Sequence, residues 1–124
     1  MNKEDKILIL KDLCARLPYM PKIKITYQQQ GIKGTDEGNV SCDVIEHIVN
    51  DLRNGVITDM QIYLRPMSSM TEKEKKEYEN CYQSDDTTTA ILLVDFYNKK
   101  HFDCRGLIEK GLAIEVTKEN NPYG

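Results

Sequence analysis

The chain predicts a small α+β domain: a short, mostly antiparallel sheet packed with an N-terminal helix and C-terminal helices. Three observations carry this. Apolar residues recur at helical spacing over 2–17 and 87–100. They alternate at strand spacing over 22–28 and 56–64. Between them the stretch Tyr63-Leu64-Arg65-Pro66-Met67-Ser68-Ser69-Met70-Thr71-Glu72 ends a strand and starts a helix. A length of 124 residues fits one domain, 1–124.

In chain order, Ile7, Leu10, Leu13, Cys14 and Leu17 mark one helical face, with Asn2 as a cap and Glu4 and Asp5 near the positive end of the dipole. Pro18 stops this helix. From Lys22 to Gln28, Ile23, Ile25 and Tyr27 alternate with Lys22, Lys24 and Thr26, as in a half-buried strand. Gly31, Gly34 and Asp36-Glu37-Gly38-Asn39 supply turn chemistry, and 31–34 can return as a short second strand. Val40, Cys42 and Val44 then alternate. Val44, Ile45, Ile48, Val49 and Leu52 also share a helical face that Asn54-Gly55 would stop. The sequence leaves helix and strand both open over 44–53, and we read a strand up to about Val44 followed by a helix to Arg53. Val56 to Leu64 alternates again, with Val56, Met60, Ile62 and Leu64 on one side. The strand-rich part, 22–65, is short enough to curl into an SH3-like barrel.

Pro66 has no N–H for a ladder, so the strand ends at the join. Thr71 and Glu74 have the spacing of a capping box, in which each residue's side chain bonds the other's amide. The cap is worth about 1 kcal/mol. A helix over Thr71–Cys81 follows, with Tyr78 and Cys81 as its few apolar anchors. A second runs over Thr87–Lys100. There Ala90, Leu93, Val94 and Tyr97 form one face, widened by Ile91, Leu92 and Phe96, and a stripe so wide predicts deep burial. Leu107 and Ile108 suggest a helical turn, and Leu112, Ile114 and Val116 a last short strand.

Composition limits the function classes. Hydrophobic residues make up 40% and charged residues 30%, which fits a folded globular chain. A net charge of -3 disfavours a broad nucleic-acid surface. The cysteines at 14, 42, 81 and 104 form no CxxC pair. The apolar run Ile7–Leu10 is too short for a leader, and no segment suits a membrane span. These features predict reduced thiols, a cytoplasmic protein and no cofactor.

Few residues have the pattern of a site. His101 and Cys104 have the spacing of two metal ligands on one turn, but a closed zinc site needs four and no other thiol or histidine matches. Cys104 is therefore read as a small buried hydrophobe. No elbow or Gly-rich loop frames a thiol, so no catalytic residue is assigned. Glu46 and His47 read as solvated surface, and Gly31-Ile32-Lys33-Gly34 as a turn rather than a phosphate cradle. Lys99, Lys100, His101 and Arg105 form the basic cluster of the chain, suited to a phosphate or an acidic partner, or simply to the negative end of a helix dipole. Arg65 is read as a clamp, its fork pairing with backbone carbonyls or with a carboxylate such as Asp103. Arg65, Lys99, Lys100 and Arg105 are thus the binding candidates.

Two blocks carry a family resemblance. Tyr63-Leu64-Arg65-Pro66-Met67-Ser68-Ser69-Met70-Thr71-Glu72 and His101-Phe102-Asp103-Cys104-Arg105-Gly106-Leu107-Ile108-Glu109-Lys110-Gly111-Leu112-Ala113 resemble signatures of a family of small proteins from gut Bacteroides-like bacteria and their phages. Leu13-Cys14-Ala15-Arg16-Leu17-Pro18-Tyr19 is similar as well. The chain departs from that pattern at Met20-Pro21 and after Ala113, and residues 28–60 carry no resemblance. The likeness implies a mobile-element or prophage accessory protein and carries over no catalytic residue. The expected function is a non-enzymatic interaction protein binding a host protein or small-molecule ligand, in defence or counter-defence, with homo-oligomerisation left open. A nucleic-acid module on a small barrel, resting on Lys22, Lys24 and Tyr27, is the alternative. An enzyme with a deep titratable pocket is the third class.

Overall fold

A two-residue connection sets the sheet. In the computed structural model, which describes residues 1–124, β1 (Lys22–Gln29) returns as β2 (Ile32–Asn39) through Gln30 and Gly31, both with positive φ. This is the twist-matched hairpin turn that glycine favours. The ladder pairs Gln29 with Ile32 and runs back to Lys22 opposite Asn39, so β2 is longer than residues 31–34, and Asp36–Asn39 lie in a strand. The Pro21 carbonyl accepts the Val40 N–H at 2.8 Å, and there the pairing stops. The chain turns at Ser41–Val44 instead of continuing extended, which corrects the strand expected up to Val44. Helix α2 (Ile45–Arg53) follows.

β3 (Ile57–Leu64) lies antiparallel to β1 on its other side, and β4 (Ala113–Glu115) pairs with β3 in parallel, giving the order β2-β1-β3-β4. The sheet stays open, with β2 and β4 as edges, and does not close into an SH3-like barrel. The register shifts where Thr26 faces Asp59 and Tyr27 faces Ile57. One extra residue on β3 exchanges its faces, as a bulge does. Hence Ile57, not Val56, joins Met60, Ile62 and Leu64 inside.

Helix α1 (Lys3–Arg16) packs across this sheet, capped by Asn2 as expected. Its buried stripe is Ile9, Asp12, Leu13 and Arg16, while Ile7 and Cys14 face out. The stripe is rotated from the all-apolar face because a charged pair sits inside. The core has twelve buried residues, from Ile9 and Leu13 through the β3 side chains to Leu52, Leu107 and Leu112.

Beyond Leu64, Pro66 and a 3-10 turn at Met67–Ser69 lead into α3 (Glu72–Asn80), with the Thr71/Glu74 capping box formed as predicted. Helix α4 (Asp86–Lys99) is capped by Asp85. It is not the deeply buried element that its apolar stripe predicts. Only Phe96 and Asn98 are buried, and Phe96 forms a small cluster with Cys81 and Phe102. No helix is long and apolar enough to cross a membrane.

Candidate functional site

The join builds one wall of the candidate site. Arg65 donates its N–H to the His101 carbonyl at 2.8 Å and accepts from the Asp103 N–H at 2.9 Å, tying the end of β3 to the segment after α4. Its guanidinium bonds both oxygens of Glu74 at 2.7 Å, reaches Ser69 O at 3.1 Å and lies 4.3 Å over the Phe102 ring. The carboxylate partner is therefore Glu74 and not Asp103, whose side chain accepts the N–H groups of Leu107 and Ile108. Glu74 also serves the capping box. The Arg65 hydrogen bond, helped by the Thr71 amide, holds its carboxyl down at about 2. Two short-range patterns thus converge on one carboxylate.

The second wall is the end of α4. Phe102 N–H bonds Tyr97 O at 2.9 Å and His101 N–H bonds Asn98 O at 3.2 Å, the two bonds of a Schellman stop. The residue past such a stop takes a left-handed backbone, and His101 does so at φ 61. The molecule makes the same stop at Leu107–Leu112 with Gly111 in that place. A histidine there costs about 1 kcal/mol more than glycine. The residue is 7% exposed and its ring stacks on Tyr123 at 3.6 Å and 5°, yet Nδ1 is sealed from solvent with no partner. A sealed, unpaired nitrogen costs a further 1–3 kcal/mol or so. Burial first, then Arg16 and Arg65, pull the imidazole down to about 4, so it is neutral.

Tyr123 belongs to the tail, which folds back over the sheet. Its hydroxyl accepts the Lys22 N–H at 2.9 Å and donates to Tyr63 O at 2.8 Å, bridging β1 and β3 beyond their last paired residues. Burial pushes it up to about 12.

Between these walls lie two neighbouring polar pockets of about 510 and 670 Å³, the two lobes of a trough, with Arg65, Glu74, Lys100, Asn121 and Gly124 in both linings. Arg65, Lys99 and Lys100 meet here, as does His101. Arg105 does not. It bonds Asp12 at 2.7 Å on the other side of the α4 terminus, where Arg16 already holds the same carboxylate at 2.8 and 3.0 Å. Arg16 and Asp12 are fully buried, and Arg16 also reaches Phe102 O at 2.6 Å. Asp12, Arg16 and Tyr123 escaped sequence reasoning. An Asp–Arg pair four apart looks the same on a buried face as on a wet one, and a tail tyrosine gives no local signal.

Cys104 is exposed rather than buried, its sulfur 3.4 Å from Arg105 Nη1 and 3.9 Å from Arg16 Nη2. Cys81 is the buried thiol, and all four cysteines are free. No group of three or more His, Cys, Asp or Glu side chains comes together to hold a metal.

A second surface lies on α4. Ile91 is 64% exposed, Val94 50% and Leu92 38%. Ile91, Val94 and Ala90 border a groove of about 440 Å³ whose opposite bank is Ala15, Pro18 and Tyr19. The Tyr19 hydroxyl donates to Asp95 at its edge. On the sheet, Lys22 pairs with Glu37 at 3.6 Å and Lys24 sits opposite Glu37 in the ladder, so no basic strand face forms. No protein-family model, curated protein or solved structure matches the chain.

Proposed function

We propose that the chain is a non-enzymatic interaction protein that takes a protein partner on the exposed face of α4, in the phage- or prophage-type accessory setting that the resembling blocks imply. One observation carries the reading. The most apolar helix is anchored by Leu93, Phe96, Tyr97 and Asn98 and leaves Ile91 and Val94, which share the groove-lining face with Ala90, open to solvent. Scattered exposed hydrophobes need no explanation, but a contiguous apolar bank on a rigid helix marks an association surface. Asp86 and Asp95 flank it, which favours a partner whose apolar ridge is bordered by cations.

Affinity capture from the native host, comparing the wild type with Ile91→Ser/Val94→Ser, tests this. We expect a discrete protein lost with the double variant and kept by Ile32→Ser, which alters an exposed apolar residue at the far hairpin. A partner retained by all three, or released ligand without protein, would overturn the reading.

A further inference from the structure

Independently of the α4 face, we infer that the two-lobed trough at the end of α4 is a binding site for a small ligand carrying more than one phosphate group. Lys99 and Lys100 would hold its charge.

Charge gives the sign of the ligand. Across both lobes stand Arg65, Lys73, Lys99, Lys100 and Lys118, against Glu74 and Glu77. Arg65 is fully engaged by Glu74 and Ser69 O, and Lys100 is held by Glu77 at a longer 3.4 Å. Lys73, Lys99 and Lys118 make no ion pair. The chain as a whole is acidic, with net charge -3, whereas the linings of the two lobes hold more cations than carboxylate side chains. A compact ammonium binds phosphate as a point charge and needs no fork geometry.

The free cations also give the valence. Lys99 borders one lobe and Lys73 and Lys118 the other, with Lys100 shared. A single monoanion would satisfy one lobe only. A chain of phosphates, or one ligand with two phosphate groups, spans both, and the volumes suit a small molecule rather than a duplex.

His101 sits beside these cations: the residue borders the first lobe, where its ring stacks on Tyr123. Its Nδ1 is closed to solvent, so the ring reports a bound anion through its changed surroundings and not through a hydrogen bond to it.

Tripolyphosphate, titrated at low salt with calorimetry and with NMR of the histidine ring, tests the site. We expect saturable one-to-one binding, a shift of the His101 ring signals with the same midpoint, and at least a tenfold weakening in Lys99→Ala/Lys100→Ala. Lys73→Ala/Lys99→Ala, which leaves the Lys100–Glu77 pair intact, should weaken binding similarly, and Lys3→Ala/Lys6→Ala on α1 should not. No saturation, an unmoved His101, or equal loss in the α1 variant would overturn the inference. Vesicles carrying a phosphoinositide separate the sources of the phosphate. Sedimentation that tripolyphosphate competes away places the phosphate on a lipid headgroup, no sedimentation places it on a soluble molecule, and uncompeted sedimentation counts against the site.

Discussion

Ile62 of β3 and Ile91 of α4 are the same side chain in two surroundings: one is fully buried, the other 64% exposed. Ile62 belongs to a buried cluster that draws side chains from α1, β1, α2, the Leu107 turn and β4. Around Ile91 there is little to close with. Helix α3, the neighbour in sequence, offers Tyr78 and Cys81 among charged residues, and these pair with the Phe96 side of α4. The satellite cluster is three buried residues, with Phe96 lying 5.8 Å from the Phe102 ring and 6.3 Å from Tyr78. An apolar stripe shows which face gains from burial. Whether anything covers it depends on the rest of the chain.

Asp12 tests how strongly the two regions are joined. Its carboxylate holds Arg16, which donates onward to Tyr97 O and Phe102 O at the C-terminal end of α4. Asp12→Ala leaves a guanidinium with 0% exposure and no counter-charge. We expect a loss of about 3–5 kcal/mol in urea unfolding, since an uncompensated buried charge is costly. Leu64→Ala, confined to the sheet side, should cost about 2–5 kcal/mol through the cavity it leaves. If Leu64→Ala left the hydrogen exchange of the α3 and α4 amides unchanged, the two regions would unfold separately rather than as one cooperative unit.

Most of the sheet side was legible because its signals are local. The Lys22–Gln28 alternation, the Pro66 break and the Thr71/Glu74 box each act within a few residues, and each took the expected place. What failed depended on distant partners. The α1 face rotated because the Asp12–Arg16 pair is drawn inside by partners far along the chain, the Phe102 carbonyl for Arg16 and Arg105 for Asp12. The Val56 side exchanged with Ile57 because of a bulge that no residue pattern announces. Of the basic cluster, Lys99, Lys100 and His101 share one trough, but Arg105, four residues past the left-handed stop at His101, turns to the opposite side of the helix end.

The neutral His101 makes the boundary between the regions sensitive to pH. Its folded value is about 4 against an ordinary 6.5. Between those values the unfolded chain binds a proton that the folded chain refuses, so stability is full above 6.5 and falls as pH drops toward 4. His101→Asn keeps a residue that tolerates a left-handed backbone and removes the titration. Measured between pH 7 and 5, before most carboxylates protonate, the wild type should lose about 1–2 kcal/mol more than the variant. Parallel curves for the two proteins would show that His101 takes up its proton equally in both states.

The smallest expected effect separates the two regions most sharply. Ile91→Ser and Val94→Ser should each change stability by no more than about 0.5 kcal/mol, because side chains already in water lose little burial when shortened. The same truncation in β3 would remove a wall of the core. The thermal midpoint of each variant, read over a hundredfold range of protein concentration, also identifies what covers the face. A midpoint that matches wild type at every concentration leaves the α4 bank uncovered in the isolated chain, as an external partner requires. A midpoint that falls only at high concentration means a second copy was shielding Ile91, since self-association stabilises by mass action. A drop at every concentration would mean that the chain itself buries this face, and the contrast between Ile62 and Ile91 would fail.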